Sequence, residues 1–222
     1  MNYFIDTNIP LGYAIIHDKW HNVSKTFLDN HQKDSIFWSN LVKNEYTEKF
    51  NEILDDINTF IANCKTLLKE NQKDFINYFD FEDFLIRKTK MNSLDNFKKQ
   101  MILKQFWTAY KFSEGISEVI YLKFIEFAHE FERIYHLRDK KLNNILILHN
   151  CGLNNYLNYM DYAEKLYKWG VHKPDCKIVI DAHDCGKTHP DLIFASADKK
   201  MIDLILEHNT DFLNIAEFRS YN

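Results

Sequence analysis

The chain has 222 residues, 45% of them hydrophobic and 27% charged, enough for one large domain or two small ones. Its net charge of −4 excludes a protein coated in positive charge for duplex binding, though not a local basic groove. The 5 Gly and 3 Pro are few for this length and predict long helices, while 18 Phe and 12 Tyr predict an aromatic-rich core or surface.

Tyr3-Phe4-Ile5 reads as a short buried strand, followed by a turn from Asp6 to Pro10. Helices are predicted from "LGYAII" and over "NVSKTFLDNH", and a second strand over "SIFWS". Leu41, Val42, Tyr46 and Phe50 then return to helical spacing. This β-α-β-α order is the signature of a parallel sheet with helices packed on it.

From residue 51 to about 140 the pattern is helical throughout. Ile53, Leu54, Ile57, Phe60, Ile61, Cys64, Leu67 and Leu68 form one apolar stripe. "DFINYFDFEDFL" is either the core of this helical region or an exposed interaction patch.

Beyond it, "NILIL" fits a strand or a buried helical turn. "NNYLNYMDYAEKLYKWG" reads as one helix with Gly170 as its C-terminal stop. "KPDCKIVIDAHDCG" opens a helix with Pro174 in its first turn. "DLIFASAD" is a strand, "KKMIDLILEH" a helix, and "FLNIAEF" an edge strand.

Cys64, Cys151, Cys176 and Cys185 form no CxxC pair, which predicts free thiols in a reducing compartment and gives no spacing for a zinc site. The N-terminus lacks a signal-peptide pattern, and no apolar run is long enough to span a bilayer. The expectation is a cytoplasmic protein with no membrane association.

Four acids carry the chemical reading. Asp6 closes a buried strand, where a carboxylate is costly unless something uses it. Asp198 lies two residues past "IFAS", at a second strand end. Glu45 sits in the first two turns of the helix after "SIFWS", and Asp175 in the first turn of its helix. Open α/β sheets bind ligands at the carboxyl ends of their strands. Four hard oxygen donors there suit Mg²⁺ or Mn²⁺ and point to phosphodiester hydrolysis. Asp181 and Asp184 compete for the third position. On a helix they lie about 240° and about 180° round from Asp175 at roughly 100° per residue. Asp175 is therefore preferred and Asp181 kept in reserve.

In their order and spacing these segments resemble the PIN-domain ribonucleases, a group that includes the toxins of toxin–antitoxin pairs. "FIDTN" is similar to the family's opening, "HDKWHNVSKTFL" to the stretch behind it, and "WSNLVKNEY" to the segment supplying the second acid. "KPDCKIVIDA" is similar to the helix with the third acid, and "IFASAD" to the strand ending in Ser196 and Asp198. The likeness covers about residues 1–50 and 165–205; the region between is much longer than in the compact toxins.

The resemblance implies a single domain over residues 1–222. It would be a parallel-sheet α/β/α sandwich of PIN type, with its core at about 1–50 and 141–222 and a helical insertion at about 51–140. It implies a Mg²⁺- or Mn²⁺-dependent endoribonuclease acting on single-stranded RNA, with in-line attack by water leaving a 5′-phosphate. Asp6, Glu45, Asp175 and Asp198 would hold the metal, directly or through water, supported by Thr7, Asn8 and Ser196. An antitoxin protein and a homodimer are the partners the family suggests.

RNA needs positive charge near the acids. Arg87, Lys88, Lys90, Lys98, Lys99 and Lys104 cluster among aromatics and form either an RNA-contacting arm or a solvated helix face. Two rival functions remain open: a non-catalytic PIN-fold scaffold that binds RNA or protein, and a metal phosphohydrolase of the all-helical HD type. "AHDCGK" resembles the His-Asp pair of the latter, with His149 or His172 as its upstream ligand.

Overall fold

The computed structural model describes residues 1–89, 93–151 and 155–221. It divides into two compact units, Met1–Lys49 with Arg138–Asn222, and Phe50–Leu137.

In chain order the elements are β1 (Asn2–Ile5), α1 (Asn8–Ala14), α2 (His21–Asn30), β2 (Ser35–Ser39), α3 (Asn40–Asn71), α4 (Tyr78–Lys88), α5 (Asn96–Ala109) and α6 (Ser117–Ile145). They continue with β3 (Leu146–His149), α7 (Asn155–Asn158), α8 (Met160–Lys168), α9 (Lys173–Gly186), β4 (Leu192–Ser196), α10 (Lys199–Leu206) and β5 (Glu217–Ser220).

The first unit is mixed α/β around a five-stranded sheet in the order β3-β2-β1-β4-β5. Every strand pair is parallel. This is the topology an alternating β-α sequence favours, and it is not the all-helical scaffold that the HD reading requires. β1, β2 and β4 are near-continuous apolar runs because both faces of an interior parallel strand are covered. Tyr3, Phe4, Ile5 and Phe194 are completely buried, with the Phe4 and Phe194 rings stacked at 6.4 Å between centroids.

The order in which strands are added to the sheet reverses between β1 and β4. From β1 the order runs one way through β2 to β3, and the other way through β4 to β5. At such a point the loops beyond the two strand ends part, leaving a crevice on the carboxyl rim.

"NILIL" resolves into both of its readings. α6 runs through Ile145 and passes without a loop into β3, which pairs with β2 from Ile36–Leu146 to Ser39–His149. The "NNYLNYMDYAEKLYKWG" segment is two helices, α7 and α8, rather than one. Gly170 does follow the end of α8, at φ +96°, a left-handed conformation that side chains resist. β5 falls slightly later than "FLNIAEF", at Glu217–Ser220, and it is an edge strand.

The second unit is helical, apart from an isolated antiparallel bridge between Phe75 and Gly115. Its interior is aromatic: Phe106 contacts Phe81, Phe124 and Phe127 at 4.9–5.6 Å between ring centroids. Burial of each such ring is worth about 1.5–3 kcal/mol. "DFINYFDFEDFL" supplies core through Phe75, Phe81 and Leu85, which are buried, while Ile76 and Phe79 are 80% and 75% exposed.

Among the described residues no helix is long and apolar enough to cross a membrane.

Gly186, the last residue of α9, is required by close approach. A Cβ there would overlap the backbone carbonyl of Asn214, which cannot step aside as a flexible side chain would. Gly186→Ala should lower stability by about 3 kcal/mol, measured by denaturant unfolding; an unchanged midpoint would show that the Asn214 segment yields freely.

Candidate metal centre

Asp6 follows β1 directly, and its N–H extends the ladder by donating to the Ala195 carbonyl of β4 at 3.2 Å. This places its side chain at the point of reversal, 4% exposed. The carboxylate accepts from the Asn8 backbone N–H at 3.0 Å and from Asn8 Nδ2 at 3.3 Å. Ser196, at the end of β4, donates its hydroxyl to Asp6 Oδ2. Burial pushes the Asp6 carboxyl up to about 7, against the opposing hydrogen bonds from Ser196 and Asn8, and the Asp175 charge raises it further.

Glu45 is carried by α3. Ser39, the last residue of β2, caps that helix by accepting from the Val42 N–H at 3.3 Å. Buried Val42 and Tyr46 fix the helix rotation, and the Tyr46 hydroxyl donates to Asp139 at 2.8 Å. Glu45 is then within reach of Thr7, whose Oγ1 donates to Oε2 at 2.7 Å, and of Lys49, paired with Oε1 at 2.6 Å.

Asp175 occupies the first turn of α9, with Pro174 at the helix start. Burial raises its carboxyl above the usual carboxylate range, and the charges of Glu45 and Asp198 add to the rise; His172 and Lys49 oppose it. Asp198 caps α10 by accepting from the Met201 N–H at 3.2 Å, and its own N–H donates to Ser196 Oγ at 2.8 Å.

The structure thus brings Asp6, Glu45, Asp175 and Asp198 into one electrostatic neighbourhood, with Thr7, Asn8 and Ser196 holding two of them by hydrogen bonds. Asp181 lies further along α9, with its carbonyl facing the Cys151 thiol.

Among the described residues, no three of the four carboxylates bring one oxygen each within 4.8 Å of one another. Like charges separate, and Lys49 and Thr7 hold Glu45 in place. The donor set nevertheless fits a hydrated hard cation. Mg²⁺ keeps several waters and takes only one or two carboxylates directly, so a dry cage is not required.

Several features were not visible in the sequence. Lys49 and His172 both oppose the rise at Asp175, to which helix placement brings them. Among the described residues, His149, Cys151 and Asp184 bring one donor atom each within 4.8 Å of one another; the HD-like reading named His149 and Asp184, and Cys151 is the member it lacked. The other member of the HD pair, His183, is buried and accepts from the Asn214 N–H at 2.9 Å.

The basic cluster belongs to the helical unit and needs one correction. Lys99 is 2% exposed, with its ammonium donating to the Thr89 carbonyl at 3.3 Å and lying 5.9 Å from the Phe60 ring centre. Its charge is spent inside the unit and cannot reach a phosphate. Arg87 and Lys98 are paired with Asp83 and Asp95, each at 2.6 Å. Lys88 and Lys104 are exposed, and Lys90 lies outside the described residues.

Comparison of the chain with protein-family models, curated proteins and solved structures finds no match in any of the three.

The Asp6 shift has a thermodynamic consequence. Its carboxyl lies near 3.8 when unfolded and about 7 when folded, so folding takes up a proton between those values. Stability therefore falls as pH rises through that window, and the penalty is complete above about 7. Without divalent ions, Asp6→Asn should melt roughly 4 °C above wild type at about pH 8, the gain shrinking towards pH 4. A variant less stable than wild type at both pH values would contradict the assignment.

Proposed function

We propose that the chain is a PIN-type, Mg²⁺- or Mn²⁺-dependent endoribonuclease that hydrolyses single-stranded RNA at the carboxyl rim between β1 and β4. The observation that carries this reading is the buried Asp6 carboxyl beside Asp175, which shares its surroundings with Glu45 and Asp198. Burying one carboxylate among three others costs several kcal/mol, which the Lys49–Glu45 pair offsets only in part. Clusters of that kind mark functional sites.

Asp6 and Asp175 would contact the cation most directly, with Glu45 and Asp198 reaching it through water. A bound Mg²⁺ or Mn²⁺ would polarise the scissile phosphate, make hydroxide available near neutral pH and stabilise the departing oxygen. Asn8 and Ser196 hold the Asp6 carboxylate in one orientation, so its oxygens need no rearrangement when the cation arrives. Thr7 does the same for Glu45. Lys49 supplies positive charge at the rim and would meet the RNA phosphates that the carboxylates repel. Membership of a toxin–antitoxin pair is an extension of this reading and rests on the sequence resemblance.

A second reading has one observation in its favour. Glu45 is paired with Lys49, and Asp198 serves as a helix cap, so neither needs a metal to account for it. On that reading the fold is a non-catalytic scaffold for RNA or protein.

Cleavage of a mixed-sequence single-stranded RNA separates the two. Wild type should cleave with Mn²⁺ and stop with EDTA. Asp6→Asn and Asp175→Asn should each lose roughly 10²–10⁴-fold, while Asp181→Asn stays within about threefold of wild type. An inactive, folded wild type would favour the scaffold. Activity indifferent to Asp6→Asn would remove the proposed site.

A further inference from the structure

Nine residues beyond Asp175 along α9, about 13 Å by helix rise, Asp184 faces a different set of donors. His149, the last residue of β3, places Nε2 3.3 Å from Asp184 Oδ2. Cys151 follows two residues later. One donor atom from each of the three lies within 4.8 Å of the others, and all three side chains are half-buried. We propose that His149, Cys151 and Asp184 form a second metal site, separate from the four carboxylates, that takes a borderline-soft divalent cation of the zinc type.

The donor chemistry selects the ion. Mg²⁺, Mn²⁺ and Ca²⁺ prefer all-oxygen surroundings, whereas Zn²⁺ accepts thiolate sulfur, imidazole nitrogen and carboxylate oxygen together.

The spacing agrees. Two ligands at about 2.1 Å from a tetrahedral ion lie roughly 3.4 Å apart. The 3.3 Å between Nε2 and Oδ2, a hydrogen-bonded contact without an ion, is close to that edge. Lys187 occupies the other oxygen, with Nζ 3.0 Å from Asp184 Oδ1, so the carboxylate would bind through Oδ2 alone. Three protein donors leave a fourth position for water.

The site's place in the fold gives it a task. β3 is a four-residue edge strand with Ile147 and Leu148 exposed. A cation shared by His149, Cys151 and Asp184 would tie the end of that strand, and Cys151 just beyond it, to α9. Such a cation would pin the sheet edge, and the inference is independent of the ribonuclease reading.

The full chain, reduced and stripped of metal, is titrated with Co²⁺, whose thiolate charge-transfer absorption reports sulfur ligation. Wild type should bind about one equivalent with that absorption, and Zn²⁺ should displace it and raise the melting midpoint. Asp6→Asn should retain the absorption, since the four carboxylates offer no sulfur. Cys151→Ser should lose it, and His149→Ala and Asp184→Asn should each weaken binding by at least about tenfold. If Cys151→Ser fails to fold, the other two variants decide by the same affinity measurement. A folded wild type with no absorption, or one whose binding is indifferent to the ligand substitutions, overturns the proposal.

Discussion

The candidate site depends on one arrangement: a carboxyl group buried at the point where two neighbouring parallel strands part. Asp6 cannot leave that position, because its backbone continues the β1–β4 ladder and its side chain is held by Asn8 and Ser196. A buried charge is tolerated if it is neutralised by a proton or a cation. Here the proton is retained up to about pH 7. Asp175, Glu45 and Asp198 are each brought up by a separate helix, so the local negative potential is a property of the tertiary fold and not of any one segment.

Supporting interactions do two kinds of work. Some orient: Ser196 touches both Asp6 and the Asp198 backbone, linking the residues after β1 and β4. Others balance charge: Lys49 pairs with Glu45 and lowers the pKa of Asp175, and His172 acts on Asp175 in the same direction. Neither Lys49 nor His172 abolishes the rise at Asp175, since burial and two neighbouring carboxylates outweigh them. The rim is thus left acidic on balance, which is the property the proposed hydrated cation would use.

The strands were readable where their environment is uniform. β1, β2 and β4 are interior strands, so their apolar runs stand out between turn residues. β3 was ambiguous because α6 enters it without a loop and an apolar run of that length satisfies both periods. The break between α7 and α8 carries no Gly or Pro, so the sequence gives no warning of it. Within the candidate site, Asp6 and Asp198 were legible because each lies within two residues of a strand's end. Helical phase separated Asp175 from Asp181, but the charges acting on Asp175 needed the folded chain. Lys99 misled because a lysine's long apolar stem lets it bury on a helix that otherwise looks basic. The His149–Cys151–Asp184 group joins residues more than thirty positions apart, beyond any local motif.

The most direct test of the central claim is anomalous diffraction from crystals of the wild-type chain grown with Mn²⁺. The account predicts a manganese peak about 2.2 Å from oxygens of Asp6 or Asp175, with Glu45 and Asp198 in its first or second coordination sphere. Crystals saturated with Mn²⁺ that show no peak between β1 and β4, while Asp6 keeps its hydrogen bonds to Asn8 and Ser196, would contradict it.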